Sequence, residues 1–154
     1  MIVTFCGHSY FSRTEEYERV VLLWLSNIVG EKRADFYLGG YGAFDGFAYD
    51  CCKKYQQTHP NVSLVFVTPY MSVGYQKKQL RDKLARYDNI LYPEIEDKPL
   101  KYAISYRNQW MVEKADYVIS YIMHGGGGSY AMYRYAMRKG KRVFNLGTFE
   151  EKQL

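Results

Sequence analysis

The chain has 154 residues, 47% of them hydrophobic and 24% charged, a balance that excludes wholesale disorder and supplies enough apolar side chains for one core-bearing domain over residues 1–154. The net charge of +5 permits a phosphate-bearing partner but is too small to identify one. With three cysteines, two of them adjacent (Cys51 and Cys52), there is neither a disulfide framework nor a metal-ligand spacing, and no metal or cofactor is expected.

Strand and helix periods alternate along the chain. Ile2 to Cys6 is a short apolar run ending at Gly7, and Ser12 and Glu15 have the spacing of a helix capping box. Val20, Val21, Trp24, Leu25 and Ile28 then share a helical face that Gly30 terminates. Asp35 to Leu38 reads as a second strand, followed by the turn Gly39-Gly40-Tyr41-Gly42. A second helix carries Phe44, Phe47, Ala48, Cys51, Cys52 and Tyr55 and stops before Pro60; Val62 to Val67 is a third strand. Tyr75 to Arg86 is a basic helix, Asn89 to Leu91 a short strand, and Glu94 to Asp97 an acidic loop between prolines. A helical face over Leu100 to Lys114 precedes the strand Tyr117 to Ile122. Past the glycines, Tyr130 to Lys139 is a helix with a basic last turn and Gly140 as terminator, and Arg142 to Asn145 is the final strand.

This alternation implies crossover connections and an α/β, Rossmann-like three-layer sandwich with a mainly parallel central sheet. The apolar run Val20 to Leu25 is far too short to span a bilayer and no signal-like segment opens the chain, so a cytoplasmic protein without membrane contact is expected. The Tyr and Met residues Tyr130, Met132, Tyr133, Tyr135 and Met137 exceed what one buried helix face requires, which predicts a homo-oligomer.

In such sheets ligands bind beyond the carboxyl ends of the strands. Three features fall there: Gly7-His8-Ser9, Gly39-Gly40-Tyr41-Gly42 and Gly125-Gly126-Gly127-Gly128. Glycine lets backbone approach a ligand, and a helix starting behind it directs free N–H groups and partial positive charge outward. Neither a P-loop nor a dinucleotide fingerprint is present.

The segments Val3 to His8, Tyr37 to Asp45, Tyr106 to Val112 and Ala115 to Gly128 resemble the SLOG superfamily (Smf/DprA and LOG proteins), with the small YpsA-like proteins as the most similar branch. The resemblance covers nearly the whole chain in order. It implies a Rossmann-like domain that binds nucleotides or nucleotide-derived ligands; members include phosphoribohydrolases, a DNA-processing protein acting on single strands, and bacterial sensor domains. LOG-type enzymes carry Gly-Gly-x-Gly-Thr-x-x-Glu. Here Gly125, Gly126, Gly127, Gly128 and Ser129 fit the phosphate loop, but Met132 stands at the position of the catalytic Glu. A thioether can neither exchange a proton nor stabilise a developing cation, so LOG-type hydrolysis is not expected.

On that resemblance Arg107, beside Asn108 and Trp110, corresponds to the arginine that neutralises phosphate, and Asp45 to an acid after the Gly-rich turn. The expected roles place phosphate on Gly125 to Ser129 and Arg107. Gly39, Gly40, Gly42, Phe44 and Asp45, with Gly7, His8 and Ser9, surround the ribose or base, and Thr68 and Tyr70 complete the wall. His8 is expected to hydrogen-bond at its loop, and His124 to be a polar loop residue close enough to touch a ligand. The function so read is binding of a small phosphorylated nucleotide derivative, as a sensor, sequestering or regulatory protein. The alternatives are a nucleotide N-glycosidase using Asp45 or Glu113, and a single-stranded DNA-binding module using Lys77, Lys78, Arg81, Lys83 and Arg86.

Overall fold

The computed structural model describes residues 1–71 and 80–152. The elements run β1 (Ile2–Gly7), α1 (Glu15–Val29), β2 (Ala34–Leu38), α2 (Ala43–Thr58), β3 (Val62–Val67), α3 (Arg81–Arg86) and β4 (Asn89–Leu91). A 3-10 turn at Leu100–Tyr102 then leads into α4 (Ala103–Lys114), β5 (Tyr117–Tyr121), α5 (Gly127–Arg138), β6 (Arg142–Asn145) and β7 (Glu150–Lys152). Of the predicted basic helix, Arg81 to Arg86 forms α3, while Lys77 and Lys78 lie outside the described residues. No helix among the described residues is long and apolar enough to cross a membrane.

The strands form one sheet in the order β4-β3-β2-β1-β5-β6-β7. Strands β1 to β6 pair in parallel throughout, and β7 adds antiparallel to β6. This is the Rossmann-like α/β architecture that the alternating pattern implies. The charged triplet forming β7 offers no apolar alternation, so nothing in its sequence marks it as a strand.

Side-chain alternation divides the core. Val3, Phe5, Phe36, Leu38, Leu64 and Phe66 face one side, where they pack with Val21, Leu25, Phe44, Phe47 and Cys52 from α1 and α2. Cys6, Tyr37, Val65, Val67, Val118 and Val143 face the other side and meet Met111, Val112, Met132, Tyr133 and Ala136 from α4 and α5. The strands are apolar in both registers because both faces are covered.

Two expectations change here. The N-cap of α1 is Thr14, whose Oγ1 accepts the Tyr17 N–H at 3.1 Å; the Ser12–Glu15 pair stands two residues too early. Glu15, Glu16 and Glu18 then occupy the first turn, where the helix dipole favours them. The second change concerns α5. Met132 and Tyr133 are buried, and Tyr130, Tyr135 and Met137 pack against the second core. The aromatic excess therefore serves the interior of this chain, and the surface argument for self-association loses its premise.

Candidate functional site

The connection from β1 to β2 runs one way across the sheet, and the chain returns at β5 on the other side of β1. This reversal opens a crevice beyond the carboxyl ends of β1 and β5. A cleft of about 540 Å³ lies there, walled by Gly7, His8, Ser9 and Tyr10 after β1, Gly39, Tyr41, Gly42 and Asp45 after β2, Ile104, Arg107, Asn108 and Met111 on α4, and Met123, His124, Gly126, Gly127, Gly128, Ser129 and Met132 after β5.

Two helices begin at this cleft without a side-chain cap. Gly42 is the N-cap of α2, and Gly126 that of α5. Gly126 and Gly127 have φ of 92° and 82°, conformations that a residue with a Cβ resists, so the glycines are needed to turn the chain from β5 into the helix. Of the first N–H groups of α2, that of Ala43 is used by the Ser9 carbonyl at 2.9 Å. The N-cap of α5, Gly126, makes no side-chain cap hydrogen bond to the first donors, which leaves a concentration of N–H groups and positive potential on the cleft wall.

His8 holds this wall in place. Its Nε2 accepts the Met123 N–H at 3.0 Å, so in the neutral ring the proton is on Nδ1, which donates to Ser129 Oγ at 3.0 Å. The Ser129 hydroxyl hydrogen is thereby left to donate elsewhere. Desolvation and the neighbouring His124 both lower the His8 pKa, in agreement with a neutral ring. With both ring nitrogens engaged, His8 ties Met123 and Ser129 to the end of β1. Asn145, which the sequence did not single out, braces the same segment from β6. Its Oδ1 accepts from Ile122 and Gly147 N–H, and its Nδ2 donates to the Ile122 carbonyl, each at 3.0 Å. An Asn ending an apolar strand was the available signal.

Arg107 lines the cleft yet is only 2% exposed. Its Nη1 donates to the carbonyls of Gly39 (3.0 Å) and Val67 (2.7 Å), and its Nε to Asn108 Oδ1 (3.0 Å). The guanidinium thus ties the ends of β2 and β3 to α4. Asp45 is half-buried and accepts the Tyr41 N–H at 3.0 Å. Burial pushes its carboxyl up to about 6, against the Tyr41 hydrogen bond and the opposing charges of Arg107 and Lys83. Asp45 is the one acidic residue on the cleft wall among the described residues.

Several expected site residues stand elsewhere. Phe44 is fully buried, directly beneath Gly7, where a Cβ would come within 2.3 Å of its ring. Thr68 is buried, and its Oγ1 both accepts the Tyr70 N–H and donates to the Tyr70 carbonyl, closing a turn outside the cleft. Gly40 packs on Phe66, and Gly125 precedes the wall without forming it. Glu113 accepts from Tyr135 Oη, away from the cleft. Trp110 stacks on Tyr37 at 5.7 Å and belongs to the second core. Lys83 lies over Phe66 at 4.8 Å and Arg86 over Tyr49 at 4.3 Å, so these basic side chains of α3 are partly held by aromatic faces. Tyr41, inside the second glycine turn, lines the cleft; the sequence reading missed Tyr10, Ile104, Met111 and Met123, of which the first adjoins its loop, whereas the others become visible only through the fold.

No protein-family model and no curated protein matches the sequence. Solved structures do. DNA processing protein A from Helicobacter pylori, described for its single-stranded DNA binding mode, superposes with a TM-score of 0.63 at 17% identity, over 94% of this chain and 64% of that one. DNA processing protein A from Streptococcus pneumoniae gives a TM-score of 0.61 at 18% identity, over 93% of this chain and 49% of its own. The chain therefore spans less than two thirds of either neighbour, and what it shares with these DNA processing proteins is the Rossmann-like fold.

Proposed function

We propose that the chain is a SLOG-type, YpsA-like domain whose cleft binds a small phosphorylated nucleotide or nucleotide-derived ligand. The observation that carries this reading is the uncapped, glycine-opened start of α5 on the cleft at the topological reversal. A volume of about 540 Å³ suits a ligand of nucleotide size. Phosphate accepts from the first N–H groups of α5 and from the Ser129 hydroxyl, while Arg107 and Lys83 add positive potential. Met132, buried on the wall, supplies no proton, so the ligand is held and not hydrolysed by LOG-type chemistry.

The test uses Gly128→Asp. A Cβ at Gly128 meets nothing within 4 Å, and a carboxylate in the first turn suits the helix dipole, so the variant folds. Its charge competes with phosphate, and AMP affinity by calorimetry should fall more than tenfold. Unchanged affinity in the variant, or no nucleotide binding by the wild type, overturns the reading. Free base released from AMP by the wild type would instead favour a glycosidase, with Asp45 as the acid.

The fold shared with DNA processing protein A favours single-stranded DNA as a second reading. It requires oligonucleotide affinity that falls steeply with salt and is lost on neutralising α3.

A further inference from the structure

His124 presents an unusual arrangement. Its ring lies parallel to that of His8, with centroids 4.0 Å apart and planes 1° from coplanar. Its Nδ1 is held 3.0 Å from the Gly125 carbonyl. His8 beneath it is fixed at both nitrogens by Met123 and Ser129. His124 is nevertheless exposed and lines the cleft. A flat ring has two faces; His8 covers one, so the exposed surface is the outer face and the edge.

We propose that the outer face of His124 is a base-stacking plate, and that the ligand is a nucleotide with its heteroaromatic ring intact, not a sugar phosphate alone. This rests on the nucleotide reading of the cleft. The plate immediately precedes the glycines that open α5, so a phosphate on the helix start and a ring on His124 fit the two ends of one nucleoside phosphate. The imidazole is already immobilised by its neighbour and by the Gly125 carbonyl, so stacking orders no additional side chain. A nucleobase stacks on either protonation state of the ring, and a protonated one adds cation–π attraction.

The experiment compares AMP with ribose 5-phosphate, by calorimetry, on the wild type, His124→Ala and His124→Phe. The wild type should prefer AMP by about tenfold, the size of one base–aromatic stack. His124→Ala should bring the ratio of the two affinities close to one, and His124→Phe should preserve it. An unchanged ratio in His124→Ala overturns the plate while the nucleotide reading stands. Loss of the ratio in both variants overturns stacking in favour of a hydrogen bond from the imidazole. Failure of AMP and ribose 5-phosphate alike to bind the wild type removes the cleft reading, and this inference with it.

Discussion

Asp45 and Arg107 both lie against Gly39: a Cβ on that glycine would stand 3.2 Å from the guanidinium carbon and 3.3 Å from a carboxylate oxygen. Arg107 is anchored by its hydrogen bonds to Gly39, Val67 and Asn108 and has little room to yield. Gly39→Ala should therefore cost about 1–2 kcal/mol in urea unfolding. Gly40→Ala should cost more, because φ there is +75° and the added methyl would lie 2.7 Å from the Phe66 ring. Equal, negligible effects at both positions would show that the turn relaxes freely.

The second prediction concerns pH. Asp45 titrates near 3.8 when unfolded and about 6 when folded, so between these values the native state binds more proton. Its contribution is therefore fully present below about pH 4 and is lost as pH rises through 6. Asp45→Asn removes this dependence. Relative to its effect at pH 4, the substitution should stabilise the protein at pH 8 by about 1–2 kcal/mol, a value reduced for partial solvent access. Urea unfolding of both proteins at the two pH values gives the double difference, and a value of zero rejects the raised carboxyl.

Arg107→Met should destabilise the fold by about 2–4 kcal/mol, because two buried carbonyls lose a charged donor. Arg107→Lys keeps the charge but not the fork, and should fall between the variant and the wild type. A fully stable Arg107→Met would mean that the guanidinium is available to a ligand after all.

The fourth prediction is spectroscopic. Long-range proton–nitrogen correlation at pH 7 should show His8 neutral with the proton on Nδ1. Its lowered pKa makes its contribution to stability present above the unfolded value of 6.5 and lost as pH falls through the folded one, when Nε2 protonates and can no longer accept from Met123. Finding the proton on Nε2 at neutral pH would contradict the network.

The parts of this molecule legible in the sequence are those set by local periodicity. Continuous apolar runs marked β1, β3 and β5, and glycines marked the turns after β1, β2 and β5, so the crevice could be placed from the sequence pattern alone. What stayed hidden depends on contacts between residues far apart in the chain. The Ser129 partner of His8 lies 121 positions away, and the Val67 carbonyl that buries Arg107 lies 40 positions away. A charged residue beside a glycine loop reads as a ligand contact until both partners are known. Phe44 shows the complementary error: proximity to the turn in sequence says nothing about direction, and its ring points under Gly7 into the core.

The sheet ends on β4 at one side and β7 at the other, each only three residues long, and β7 reverses direction against β6. A border this short gives an incoming chain few backbone groups to pair with, and the exposed Glu150 places charge along one of the two. Growth by strand addition, the usual hazard of an open parallel sheet, is thus discouraged at both margins. The crevice between β1 and β5 lies instead at the centre of the sheet, away from both borders.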